Sequence, residues 1–307
     1  MRRPHLVSLA AAATTVAAAS AYLAPAQAIT DGTADDGTYS MVGMMVAQDE
    51  DGEPLWRCSG TLISPTVFIT AGHCTSDDGD DLVHHVELFF ESDYGFTDEV
   101  FLDDVGDFQE AGDPSCESDD GERYDVYPCT GEVTGTAYTH PSYDPDTFPL
   151  HDLGVVILDE PVVLDQYATL PQPDEFLAWG SGTKQDFTSV GYGLQEAYPG
   201  AAGKDVARNI RMVSSPRLVK ADSPSLYPDH LLLSNNAATG GTCYGDSGGP
   251  NFLAGTFVIA GVTSYSKNND TCGGVTGSYR LDRPDDLAWI DCVINAPNEE
   301  SARACPV

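Results

Sequence analysis

Apolar residues in this chain come in short runs broken by turn residues, and they rarely keep a helical period. Runs such as "MVGMMVA" from Met41, "TLISPTVFIT" from Thr61, "VELFF" from Val86, "LGVVIL" from Leu153, "TSVGYG" from Thr188 and "TFVIAGVT" from Thr256 predict β-strands. Glycine and proline recur between them, which is the spacing of an all-β sandwich or barrel. One helix is predicted near the end. Asp282 is placed to cap it, Pro284 falls in its first turn, and Leu287, Ile290, Val293 and Ile294 share a face. The proline-rich segment Asp159 to Phe176 reads as a connector between two halves, and no internal repeat is visible.

The first residues break the pattern. Arg2 and Arg3 precede an alanine-rich apolar run to about Leu23, followed by Ala26-Gln27-Ala28, a small-x-small cleavage pattern. Residues 1–28 therefore read as a secretory signal, and 29–307 as the exported, extracellular part. No later run is long enough to span a bilayer. Eight cysteines suit an oxidising address and suggest four disulfides. No C-x-x-C pair occurs, so no metal is expected from them.

The chain has 48 acidic and 14 basic residues, a net charge of −34. Loss of the signal removes Arg2 and Arg3 and no acid, which takes the net to −36. That sign argues against a nucleic-acid partner. It fits a strongly solvated surface, and recruitment of cationic substrates is the sharper reading.

Candidate chemistry centres on "GTCYGDSGGP", Gly241 to Pro250, where glycines surround one hydroxyl, Ser247. A serine needs a neighbouring base, usually a histidine held by a buried carboxylate. The Gly-x-Ser-x-Gly pattern also occurs in α/β-hydrolases, but their histidine follows the serine, and no histidine follows Ser247 here. His73 ends the β-branched run "FITAGHC", where Cys74 can pair with Cys58. His84 and His85 are adjacent in a polar run and cannot both face one site if that run is a strand, and His140 and His230 read as ordinary surface or turn residues. Asp152 opens the apolar run "DLGVVILDEP", unlike most acids of the chain, which lie in polar clusters.

"TAGHC", "HDLGVVIL" and "CYGDSGGP", in that order, resemble the three catalytic blocks of the trypsin/chymotrypsin-like serine peptidases of the secreted, bacterial type. The likeness runs from Ile29 to the final helix and includes "SVGYGL" and "GVTSYS". It implies two six-stranded antiparallel β-barrels, about 29–160 and 175–281, with a C-terminal α-helix. It implies a serine endopeptidase with Ser247 as nucleophile, His73 as base and Asp152 as orienting acid. The N–H groups of Gly245 and Ser247 are expected to form the oxyanion hole. Asp246 is expected to pair with the amine of Ile29, freed by signal removal. Resemblance also implies Cys58–Cys74 and Cys243–Cys272. Proximity suggests Cys116–Cys129 and Cys292–Cys305.

Gly241 is expected at the base of the primary pocket, with Ser264, Ser266 and Gly277 along its walls. The absent basal aspartate argues against cleavage after lysine or arginine and favours an apolar or aromatic residue on the acyl side. Asp270, nearby in sequence, could reverse that. No cofactor is required by this chemistry. Calcium is a candidate at the acidic stretch Glu91 to Glu99, and Asn269 to Thr271 is a glycosylation sequon. The expected partners are protein or peptide substrates, and the expected state is a monomer. The competing reading is a catalytically silent homologue that serves as a binding module.

Overall fold

The computed structural model describes residues 29–52, 54–77, 83–94, 101–102, 108–109, 130–180, 182–195, 209–223, 227–268 and 271–307. The signal segment, Cys116, Cys129, Asn269, Asp270 and most of the Glu91–Glu99 stretch lie outside the described residues.

Strands dominate, as the short apolar runs predict. The first half carries β1 (Thr33–Ala34), β2 (Val42–Gln48), β3 (Pro54–Ser64), β4 (Val67–Thr70), β5 (His85–Phe89), β6 (Phe101–Leu102), β7 (Phe108–Gln109), β8 (Val133–Thr139) and β9 (Gly154–Leu158). The second carries β10 (Phe187–Gly191), β11 (Met212–Ser214), β12 (Leu218–Ser223), β13 (Tyr227–Asn235), β14 (Pro250–Leu253), β15 (Ile259–Ser266) and β16 (Gly274–Arg280). Two helices follow, α1 (Pro284–Asn295) and α2 (Glu299–Arg303).

The first half closes into a six-stranded antiparallel barrel in the order β2-β3-β4-β9-β8-β5. Its strands are apolar on more than one face because the barrel packs inward against itself and outward against its partner. All seven residues of β2 are buried. Met45, Leu62, Phe68, Leu88 and Val155 share the core with Phe252 and Ile259 of the second half, so one apolar core runs through both. Each large side chain so buried contributes roughly 1.5–3 kcal/mol.

The second half is a curled sheet in the order β1-β11-β10-β14-β15-β16-β13-β12. An isolated bridge between Asp186 and Arg217 joins the entry of β10 to the entry of β12. The six strands from β11 to β13 form the expected second barrel wall. The N-terminal strand β1 pairs with β11 and not with the first barrel, so residues at the start of the 29–160 unit belong to the second sheet.

The terminal helix forms, with a different cap and face. Arg283 occupies the cap position without a side-chain cap bond. Asp282 is not available, because its carboxylate accepts from buried Arg280 (2.8 Å) and from the backbone N–H of Phe176 (2.6 Å). The buried face is Asp286, Trp289, Ile290 and Val293, while Ile294 is exposed. Cys292–Cys305 ties α2 back onto α1. His140 and His230 are corrected from surface residues to core residues, at 2% and 1% exposure. Each lies among aromatic rings, His140 against Trp289 and His230 against Tyr265 and Tyr279.

Candidate active site

β4 ends at Thr70, and the chain turns through a short 3-10 segment, Gly72–Cys74, that carries His73. Cys58–Cys74 fastens this turn to β3, and the Trp56 indole N–H donates to the Cys74 carbonyl at 3.1 Å. The residue before β9 is Leu153, and Asp152 precedes it at 0% exposure. β4 and β9 pair directly, Thr70 opposite Gly154, so two neighbouring strands of one barrel bring the histidine and the acid together.

Asp152 is saturated with donors. One oxygen accepts from the His73 backbone N–H (2.8 Å) and lies 3.0 Å from His73 Nδ1. The other lies 2.9 Å from Nδ1 and accepts from Ser264 Oγ at 2.5 Å. Burial alone raises a carboxyl pKa. Here the His73 charge, its hydrogen bonds and the Ser264 hydroxyl outweigh burial and hold Asp152 below its ordinary value. For His73, burial pulls the pKa down, but the Asp152 charge and hydrogen bond win and raise it. The ring packs edge-on to Phe148 at 5.5 Å, which shields one side from water.

Ser247 comes from the second half, on the turn between β13 and β14. It lines the same open cleft as His73, with a volume of about 840 Å³. No hydrogen bond joins His73 to Ser247 among the described residues. Bonds of this kind commonly tighten only once substrate is bound. The Ser247 carbonyl accepts from Ser59 N (2.7 Å), which fixes the turn to the first barrel. Gly245 has φ +86°, a left-handed backbone that a side chain would strain. Neither the Gly245 nor the Ser247 N–H is spent on a protein acceptor among the described residues, and both residues line the cleft. Two free donors beside a nucleophile are what an oxyanion hole requires.

Asp246 points the other way, into the protein. It is fully buried and accepts from Gly193 N and Cys243 N, each at 2.8 Å. Its carboxylate fills the space that side chains at 191 and 193 would occupy: a Cβ on Gly191 would stand 2.3 Å from its Oδ1. This gives "GYG" its reason. Burial pushes Asp246 up to about 7, against the pull of its two backbone donors and of Arg57. Ile29 is also fully buried, beside Met212 and Ile210. Among the described residues no hydrogen bond or ion pair joins Ile29 to Asp246.

The pocket walls differ from expectation in two places. Cys243–Cys272, Thr242, Thr263, Ser264, Ser266 and Thr276 line the cleft. Gly277 does not. Strand alternation puts Thr276 and Ser278 on the face of Thr263, which lies directly opposite Ser278. Gly277 therefore faces the other side, where the Tyr265 ring covers it, 2.1 Å from where a Cβ would stand. Gly241 is buried beneath the Asn235 carboxamide, 2.2 Å from where its Cβ would stand. Asn235 donates to the carbonyls of Thr242 (2.9 Å) and Cys272 (2.6 Å) and accepts from Thr30 Oγ1 (2.8 Å). Sequence reasoning missed Asn235, Thr276 and the Ser264–Asp152 bond. Strict alternation along "GVTGSYR" could have found Thr276. Nothing local marks Asn235.

Comparison with known proteins identifies the family and the fold. The family model described as Trypsin matches residues 120–281. The chain is 26% identical over 257 residues to CLIP domain-containing serine protease B10 of Anopheles gambiae, covering 78% of this chain and 62% of that protein. It is 23% identical over 276 residues to spermosin of Halocynthia roretzi, covering 86% and 60%. It thus spans about three-fifths of these relatives' length. The solved structure of HL collagenase superposes with a TM-score of 0.56 at 19% identity, over 83% of this chain and 95% of that one.

Proposed function

Because the chain belongs to the trypsin family, we propose that it is a secreted serine endopeptidase working through an acyl-enzyme. Ser247 attacks the peptide carbonyl. His73 takes the serine proton at Nε2 and delivers it to the leaving amine. Asp152 holds Nδ1–H and stabilises the imidazolium that forms. The Gly245 and Ser247 N–H groups receive the developing oxyanion, each worth roughly 3 kcal/mol in the transition state. A second pass, with water in place of the amine, releases the acyl group.

The observation that carries this reading is the chelation of His73 by Asp152. The carboxylate grips both the ring and the backbone of one residue while Ser264 donates to its other oxygen. A binding module would not need an imidazole held in one tautomer at the edge of an open cleft.

The residue on the acyl side is proposed to be uncharged, with apolar or aromatic side chains preferred. Asn235, a neutral group, covers Gly241, and its hydrogen-bonding capacity is spent on Thr242 and Cys272, which line the cleft. Activation follows from release of the Ile29 amine, which would supply Asp246 with a cation. The test is labelling of the processed protein with a fluorophosphonate. Labelling at Ser247, lost in Ser247→Ala and accompanied by peptide hydrolysis, is expected. A folded, processed chain that does not label would show the silent homologue instead.

A further inference from the structure

We propose that His140, His151 and Asp286 form a binding site for a divalent transition-metal ion of the zinc class, outside the catalytic cleft. None of the three lines that cleft. One donor atom from each lies within 4.8 Å of the other two. The site joins the end of β8, the residue before Asp152, and the first turn of α1.

Hydrogen bonding leaves this cluster unfinished. His140 Nε2, His151 Nδ1 and Asp286 Oδ1 are all buried and have no hydrogen-bond partner. His140 Nε2 and Asp286 Oδ1 are 3.3 Å apart, close enough to attract but without hydrogen-bond geometry. Their side chains are 1% and 0% exposed. Most buried polar atoms of native proteins are met, and here three unmet ones lie together. A single shared cation meets all of them. Two ligands about 2.0–2.1 Å from a tetrahedral zinc lie about 3.3–3.4 Å from each other. That edge matches the His140–Asp286 separation.

The surroundings have the form of an outer ligand shell. The other Asp286 oxygen accepts from Tyr279 Oη at 2.9 Å, which orients the carboxylate. Arg283 contacts Asp229, Asp285 and Asp286, one guanidinium against three carboxylates. The excess of two negative charges suits a dication. His140 Nδ1 accepts a long bond from Ser142 N (3.3 Å), so its proton sits on Nε2 in the empty site. Metal at Nε2 puts the imidazole proton on Nδ1, facing the Ser142 N–H, so that exposed N–H turns to water instead. His151 holds a left-handed backbone at φ +54° and is half-buried, so it is the side from which an ion and a water ligand enter. Two imidazoles, a carboxylate and a water form a zinc-type donor set, and calcium, which takes six or more oxygens, does not fit it.

The simpler alternative is a histidine paired with an aspartate and no ion. It satisfies at most one pair and leaves His151 Nδ1 buried and unmet. Since His151 precedes Asp152, an occupied site would stand one peptide from the proposed catalytic acid. The inference does not depend on the peptidase reading.

The test is zinc competition against a chromophoric chelator, with excess calcium and magnesium to occupy the acidic surface. One zinc per chain is expected, with affinity reduced at least about tenfold in His151→Asn and in Asp286→Asn. Cobalt added to the wild-type protein should give the intense visible bands of a four-coordinate ion, lost in His151→Asn. Far-UV circular dichroism without metal checks that the variants fold. No zinc held by the wild type above the variants' level, or a cobalt spectrum typical of six-coordinate aqueous ions, would overturn the site.

Discussion

Asp152 and Asp246 are both buried to 0% exposure, and they respond to burial in opposite ways. Asp152 is held below its ordinary 3.8, while Asp246 is pushed up to about 7. Asp152 has an imidazole in contact and two further donors. Asp246 has two backbone N–H groups at 2.8 Å and only the more distant pull of Arg57. Neutral donors offset part of the desolvation of a carboxylate, and a cation in contact offsets the rest. The first aspartate is therefore a completed electrostatic unit. The second is an unfinished one, and it waits for the charge that the Ile29 amine would bring.

The comparison breaks first at Asp152. Asp152→Asn keeps the shape but donates where it should accept, so His73 is left in the wrong tautomer. A loss in kcat/KM of roughly 10⁴ is expected. A loss below about tenfold would show that Asp152 only supports the turn.

Asp246 gives the next largest effect, on stability and before processing. Its folded value of about 7 exceeds its ordinary 3.8. Between those values the folded chain holds a proton that the unfolded chain has lost. Stability therefore falls as pH rises through this window and levels off above it. The full drop is on the order of 4 kcal/mol as an upper bound. Urea unfolding of the unprocessed chain at pH 5 and pH 8 should show about two-thirds of it, and Asp246→Asn should abolish it. An equal slope in both proteins would assign the effect to another group.

Much of this contrast was legible in the sequence, and the reason is local. "TAGHC", "DLGVVIL" and "GDSGGP" each encode a strand end or turn, and the short apolar runs encode the strands that carry them. Alternation and turn chemistry act over a few residues. Most of the misses are long-range. His140 reads as a turn residue because a proline follows it, but Trp289, far along the chain, buries it. Asp282 reads as a helix cap, but Arg280 and Phe176 claim its oxygens. His151 is inconspicuous beside Asp152, and only the first turn of α1 gives it partners. Gly277 was placed by resemblance, where strand alternation places Thr276. A buried polar group depends on what arrives from elsewhere, and the linear pattern does not carry that information.

The smallest effect sharpens the comparison at Ser264, the donor that completes Asp152. His73 has its pKa raised above 6.5 by Asp152, so the acid limb of kcat/KM should lie above that value. Activity should fall as pH drops through it, because protonated His73 cannot accept the serine proton. Ser264→Ala removes a donor that draws charge off the carboxylate. The remaining charge then falls more fully on His73, so the acid limb should move to higher pH. One unmet oxygen on a buried carboxylate also weakens the grip on the ring, and kcat at the plateau should fall about tenfold. Ser264→Thr keeps the hydroxyl and should restore the limb to its wild-type position. If Ser264 served only as pocket wall, KM would change while the acid limb stayed fixed, and the pH profile of kcat/KM separates these two outcomes.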